Sequence, residues 1–272
     1  DATAITANGS GNILVDANDG DVIANANVTS TTGHVTLKAA ANIDIGSSVD
    51  ILTSSTGTIS LDAEGGTLSM DGTADIRAAN SSLRVAAEDT VTLGNLTAIN
   101  VSVVSRAGAI VNAADSTMNV TATNLRLEAD DAIGATDRHL SINVTKVSAD
   151  SAGTNSAGIY LSDSETIQVD ALSVTVIECT TTGGEVSKVD GVQTGVSADG
   201  NGNIVLVAVT GNITLTEDLS VTGGGNILVD AEADNVFLYG GLSSVIGHIT
   251  VKAGTDIEVN ANVDVSTGTP GT

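Results

Sequence analysis

A seven-residue pattern returns along almost the whole chain and limits the fold more than any other feature. Gly11-Asn12-Ile13-Leu14-Val15-Asp16-Ala17 recurs verbatim from Gly225 to Ala231. Looser copies begin at Gly33, Gly57, Ser81, Thr123, Gly202 and Gly247. Within each run of copies, neighbouring starts lie 22 to 24 residues apart. The 42-residue step from Ser81 to Thr123 has room for two turns, and Asn100-Val101-Ser102-Val103 supplies the intermediate strand. A fixed period of this size is the mark of a solenoid or array.

Within a copy the order is glycine or small, any residue, aliphatic, polar, aliphatic, polar, alanine. Ile13, Val15 and Ala17 therefore share one face and Asn12 and Asp16 the other, and a period of two is that of a strand. Leu14 and Val205 break the outer polarity, which predicts that this face is covered in places. Two further extended runs follow each copy: Asp21-Val22-Ile23 then Asn27-Val28-Thr29 after the first, Asn42-Ile43-Asp44-Ile45 then Val49-Asp50-Ile51 after the second. Corners of Gly, Asn, Asp and Ser separate them. No stretch shows a capped 3.6-residue apolar stripe, so almost no helix is expected. Three short strands per 22–24-residue coil, stacked so that equivalent strands pair in register, make a right-handed parallel β-helix, an all-β solenoid. About 12 coils at roughly 4.8 Å spacing give a rod on the order of 55 to 60 Å long.

A longer repeat overlies the first. Sliding the sequence along itself until Gly11 meets Gly225 aligns Gly11–Thr58 with Gly225–Thr272 without a gap, with 20 identities over 48 positions. His34 meets His248, Lys38 meets Lys252, and Val49-Asp50 meets Val263-Asp264. Residues 1–272 are thus expected to be one continuous solenoid: a single super-repeat with a period of about 214, with 215–272 beginning the next, cut from a longer array. Between 133 and 200 the pattern loosens, although Leu140-Ser141-Ile142-Asn143-Val144, Gly158-Ile159-Tyr160-Leu161 and Ile167 to Leu172 still read as strands. Residues 178–201, rich in Gly, Thr and Ser, predict a loop or excursion, the kind of feature that carries function on a repeat scaffold.

Composition narrows the function classes. Nine Lys plus Arg against 33 Asp plus Glu leave a net charge of −24. Such a surface repels phosphate backbones, so no nucleic-acid partner is expected. Aromatic residues are 1% of the chain, with no tryptophan, so the interior must be filled by Val, Ile, Leu, Ala and Thr, which favours a thin, repetitive core. No run approaches about 18 apolar residues, and no membrane insertion is expected. Cys179 is the one cysteine, so no internal disulfide forms. The chain opens at Asp1 without a basic, apolar leader, and an export signal is expected to have been removed or to lie outside it.

The Gly-Asn-Ile-Leu-Val-Asp-Ala coils, with Ala132-Ile133-Gly134 leading to Leu140-Ser141-Ile142-Asn143-Val144 and then Gly158-Ile159-Tyr160-Leu161, resemble the filamentous-haemagglutinin-like repeats of very large bacterial surface and secreted proteins. The resemblance covers nearly the whole chain. It implies a long β-helical stalk carrying adhesion away from a cell, an extracellular or cell-surface location, and a cell-surface or glycan receptor. It implies no catalytic residues, and none are carried over.

Candidate chemistry is sparse. Catalytic β-helices that act on acidic polysaccharides need carboxylates, a basic residue and aromatics; here Arg77, Arg84 and Arg126 are the cations to consider, with Arg84 and Arg126 at equivalent outward positions. Read alone, they are isolated cations relieving an acidic surface. Asp16, Asp19 and Asp21 around Gly20, and Asp199 with Asn201 and Asn203, offer oxygen ligands to Ca²⁺, yet Asp and Asn are also ordinary corner residues. His34 and His248 are equivalent outward positions without a metal-ligand spacing around them, and His139, beside Arg138, reads as a surface residue. No catalytic, cofactor-binding or metal residue is assigned. The expectation is a non-enzymatic stalk or fibre segment of a large extracellular repeat protein, self-associating or continuing head to tail through its terminal coils. The alternative is a polysaccharide-binding or polysaccharide-lyase-type β-helix with a concave acidic groove and a paired Arg or Lys.

Overall fold

A computed structural model describes residues 3–153 and 158–268; the Gly271-Thr272 end of the long alignment lies outside them. The described residues form strands and turns and no helix, coiled into a β-solenoid of about 11 turns of about 23 residues, one turn fewer than the sequence spacing predicts. They fall into two compact units, 1–123 with 173–191 and 124–172 with 192–272.

In the first unit each coil is three strands, Ile13–Ala17, Val22–Ala24 and Val28–Ser30 being one set. Equivalent strands pair in parallel from coil to coil. Ile13, Val35, Ile59, Leu83 and Val101 stack in one column. Val22, Ile43, Leu68, Val91 and Ile110 form the second, and Ile5, Val28, Ile51, Ile76 and Leu96 the third. Away from the first coil these side chains are fully buried, so the alternation is the pleat of a strand with one face inside. The strand expected at Asn100–Val103 is there, paired with 82–85. The step from Leu83 to Val101 is shorter than the others in its column, because only Gly94 separates Val91–Leu93 from Asn95–Ser105 and the next corner, where the register shifts between Ala78 and Ser82, has fewer residues in Asn95–Ser105 than in Asp75–Ala87.

The glycine that opens most of the heptads has a steric cause. A Cβ on Gly33 would stand 2.1 Å from the carbonyl oxygen of Gly11, and one on Gly57 2.1 Å from that of Gly33. Only glycine allows so close a backbone approach. The same corner is tied by a hydroxyl: Ser30 Oγ donates to Gly11 O at 2.8 Å and Thr53 Oγ1 to Gly33 O at 3.0 Å.

Asparagine does more at the corners than turn the chain. Asn12 Oδ1 accepts from His34 N at 2.8 Å, Asn42 Oδ1 from Thr67 N at 2.9 Å and Asn27 Oδ1 from Asp50 N at 2.9 Å. Each side chain thus caps the amide of the equivalent position one coil on, extending the ladder across the bends where backbone pairing lapses.

The second unit repeats this plan. Ile159, Ile204, Ile227 and Ile249 form one column, Ile167, Ile213, Val236 and Ile257 another. One coil is long. Its second strand, Ile167–Val169, is followed by the two-stranded pair Ala171–Cys179 and Glu185–Thr194 before Val196–Ala198 resumes the third column beside Ala149. A connection this short joins antiparallel strands, so the insert is a β-hairpin. Gly195, at φ +72°, makes the re-entry turn that L residues resist. The extended run seen in sequence from Ile167 to Leu172 therefore ends its coil strand at Val169.

Local geometry recurs along the longer repeat. Ser30 Oγ to Gly11 O, Gly33 N to Ser30 Oγ and His34 N to Asn12 Oδ1 are 2.8, 2.9 and 2.8 Å. Ser244 Oγ to Gly225 O, Gly247 N to Ser244 Oγ and His248 N to Asn226 Oδ1 are 2.8, 2.9 and 2.8 Å. Among the described residues, the two non-glycines with positive φ are Ser48 at 56° and Asn262 at 80°, which occupy equivalent positions of that repeat.

Candidate functional site

The face of the first unit that the sequence marks as outward is buried. Thr36, Ser60 and Arg84, stacked at one position of successive strands, are 0, 1 and 3% exposed. What covers them is the hairpin, whose residues 173–191 belong to the first unit. Val174, Val176 and Cys179 are buried. Ile177 N and Cys179 N donate to Thr58 Oγ1 and Thr36 Oγ1 at 2.9 and 2.8 Å, Thr58 Oγ1 donates to Ile177 O at 2.8 Å, and Ser60 Oγ donates to Glu178 Oε1 at 2.8 Å. The hairpin is thus held partly through its own backbone, and the small hydroxyl residues of the sheet are what allow it so near.

At its other strand the hairpin is held by charge. Arg84 Nε donates to both oxygens of Asp190 at 3.1 Å, and Arg84 Nη1 to Asp62 Oδ2 at 3.0 Å. Arg106 Nη2 reaches the two Asp62 oxygens at 2.8 and 2.9 Å. The four charges sum to zero. Burial alone would lower the Arg84 pKa, but the carboxylates of Asp190 and Asp62 outweigh it and hold the guanidinium above its ordinary value. Arg84 is thus the centre of a buried ion cluster, where the sequence suggests an exposed cation. Nothing local marks it, because Asp190 is remote in the chain.

The second feature is a groove of about 370 Å³ on the face made by the short middle strands of the first unit. Asn25, Asp44, Ser69, Asp71, Thr92 and Asp115 line it on successive coils, with the side of Met70 at its floor. No Lys or Arg is among its lining residues. Asp71 is tied in its own turn: Thr73 Oγ1 and Thr73 N donate to it at 2.6 and 2.9 Å and hold its carboxyl below the usual range.

The residues considered for calcium are spread through the corner ladder. Asp21 Oδ1 accepts from Asn42 N, Asp199 Oδ1 from Thr222 Oγ1, Asn201 Oδ1 from Gly224 N and Asn203 Oδ1 from Asn226 N. Asp16 is paired in register with Lys38, and Asp19 is exposed. Among the described residues no group of three His, Cys, Asp or Glu side chains converges as metal ligands would.

Of the other cations, Arg77 is exposed, while Arg126 is buried and donates to Glu128 Oε2 at 2.6 Å. His34 Nδ1 accepts from Thr58 N at 3.0 Å, which puts the proton of the neutral ring on Nε2. His248 is exposed. His139 is half-buried, its ring centroid 5.9 Å from that of Tyr160, and burial pushes its pKa down. In the second unit Asp163 is fully buried. It accepts from Val144 N at 2.9 Å and Glu165 N at 2.7 Å, and burial raises its carboxyl to about 6. Compared with models of protein families, with curated proteins and with solved structures, the chain matches none.

Proposed function

We propose that the chain is a non-catalytic structural segment of a large extracellular repeat protein, a stalk or fibre of the adhesin type like the filamentous-haemagglutinin-like repeats. The observation that carries this reading is the in-register ladder, in which interior columns, corner glycines and Asx side chains all serve the next coil rather than a common centre. Such a ladder resists load by distributing it over many equivalent hydrogen bonds. A net charge of −24 keeps the surface hydrated and hinders lateral association. The clasped hairpin is the feature by which one segment would differ from its neighbours when meeting a cell-surface or glycan receptor.

The experiment is to pull the chain by its two ends in a force microscope. Coils of about 23 residues should be released in increments of about 80 Å of contour length, at roughly 3.5 Å per residue. Collapse in a single low-force step would overturn the stalk reading. A second reading, a polysaccharide-binding or polysaccharide-cleaving β-helix, is favoured by one observation, the groove with Asp44, Asp71 and Asp115. An ultraviolet lyase assay on acidic glycans tests it: product formation that disappears in Asp71→Asn would move the assignment to that class.

A further inference from the structure

Two faces in the chain expose side chains that their counterparts in the longer repeat keep buried. Ile257, Val259 and Val265 are 47, 54 and 48% exposed, whereas Ile43, Ile45 and Ile51 are 0, 2 and 0%. The earlier three are covered because their two strands pair onward with Leu68–Met70 and Asp75–Ala87. In the opposite sense, Ile5 is 45% exposed and its counterpart Leu219 is fully buried, because Leu219 pairs back onto Val196.

We infer that these two faces dock a further copy of the long repeat, and in one phase only. The face made by Ile249–Ala253, Ile257–Val259 and Val265–Thr267 takes a coil of the kind 59–78; the face made by Ile5–Ala7, Ile13–Ala17 and Val22–Ala24 takes one of the kind 196–215. The occupant follows from the recurrence of sequence and hydrogen bonds, since residues that repeat so closely were shaped against the same neighbour. Polar groups agree. Lys252, whose ammonium here bonds Asp230 of the preceding coil, repeats Lys38, whose register partner in the next coil is Asp62 and whose ammonium bonds Glu64 at 2.8 Å. His248 repeats His34, whose Nδ1 accepts a hydrogen bond from the Thr58 amide. A coil of the kind 57–78 brings that carboxylate pair and that amide together. This deepens the stalk reading by naming the partner of its ends.

The test fuses the chain, ended at residue 268, to a second copy in two ways. In phase, residue 268 is followed by residues 55–268; out of phase by two coils, it is followed by 9–268, which keeps the glycine corner in place. Hydrogen exchange of the 249–267 amides is then compared with the unfused chain. In phase, exchange should slow at least about 100-fold, and by at least about tenfold more than in the out-of-phase fusion. No slowing in phase overturns the docking, and equal slowing in both overturns the phase. A short extension carrying only residues 55–93 must reproduce the in-phase protection, so a misfolded second copy does not decide the matter. The contour-length increments of the single chain test the stalk reading separately, and neither result can stand in for the other.

Discussion

Asp190→Asn should loosen the hairpin while leaving the coils beneath it intact. The side chains of Arg84, Asp62 and Asp190 are 4, 7 and 10% exposed, and that of Arg106 is 32% exposed. With two arginines against two aspartates the cluster is neutral; removing the Asp190 charge leaves one unbalanced cation where water scarcely reaches. Breaking a buried pair on one side costs about 3–5 kcal/mol. Arg106 admits some solvent, which puts the loss near the lower end, about 3 kcal/mol, or roughly 150-fold in the opening equilibrium. The hairpin stays docked on average, because Val174 and Val176 each retain about 1.5–3 kcal/mol of burial and the threonine bonds about 1 kcal/mol each. Hydrogen exchange by mass spectrometry reads this directly: peptides from 173–191 should exchange about 100-fold faster, while those from 35–63 stay unchanged. A change below about threefold, or one shared equally by 35–63, would refute the reasoning. The double change Arg84→Met with Asp190→Leu leaves Arg106 and Asp62 as a neutral pair and should sit within about 1 kcal/mol of the parent. If it loses as much as the single change, packing and not charge balance holds the hairpin.

Gly33→Ala must drive a methyl to 2.1 Å from the Gly11 carbonyl oxygen, so the coils have to separate; thermal melting should fall by several degrees, while Gly20→Ala, with nothing within 4 Å of its Cβ, should be neutral or slightly stabilising. Ile59→Ala and Leu61→Ala, both fully buried, should each cost about 2–5 kcal/mol in denaturant titration. Asp163 carries a pH dependence: its folded pKa of about 6 lies above its ordinary 3.8, so its contribution is greatest below about pH 3.8 and is lost as pH rises through 6. The difference amounts to about 3 kcal/mol at most, and Asp163→Asn should flatten the stability profile between pH 4 and 7 although it gives up one of two accepted amide bonds. A profile that keeps its slope in that variant would assign the titration elsewhere.

The coils were legible in sequence because both of their causes are local. A period of two reports one buried face, and the heptad glycine reports a backbone contact that recurs at Gly33, Gly57, Gly225 and Gly247. The hairpin was less legible for the same reason. Leu172, Val174 and Val176 alternate just as coil strands do, so the pattern says that one face is buried and leaves open against what; residues 178–201 mark the excursion but start late, since its first strand begins at Ala171. Arg84 was hidden more completely. It shares its column with Thr36 and Ser60, and outward position plus charge reads as solvent exposure unless the cover that Asp190 brings from far along the chain is known. One faint signal was present: outward Thr36, Ser60 and Ser102 are all small, and a run of small hydroxyl residues on an open face leaves room for a strand to lie on it.

Departures from the period are where this chain acquires individuality. A perfect solenoid offers every coil the same surface, so any partner that binds one coil can bind the next, and selectivity between them is low. The hairpin breaks that degeneracy once, because it covers one set of outward positions of the first unit and so sets a single address among many similar turns. The buried cluster then fixes its register, since Asp190 meets a guanidinium at Arg84, while the outward positions one coil to either side are Ser60 and Ser102. Shifting the hairpin by one coil would bury Asp190 against a hydroxyl, at a cost of several kcal/mol for an unpaired carboxylate. The ion cluster is therefore better understood as a specificity device than as a source of stability, and its removal should blur where the hairpin sits before it weakens the ladder below.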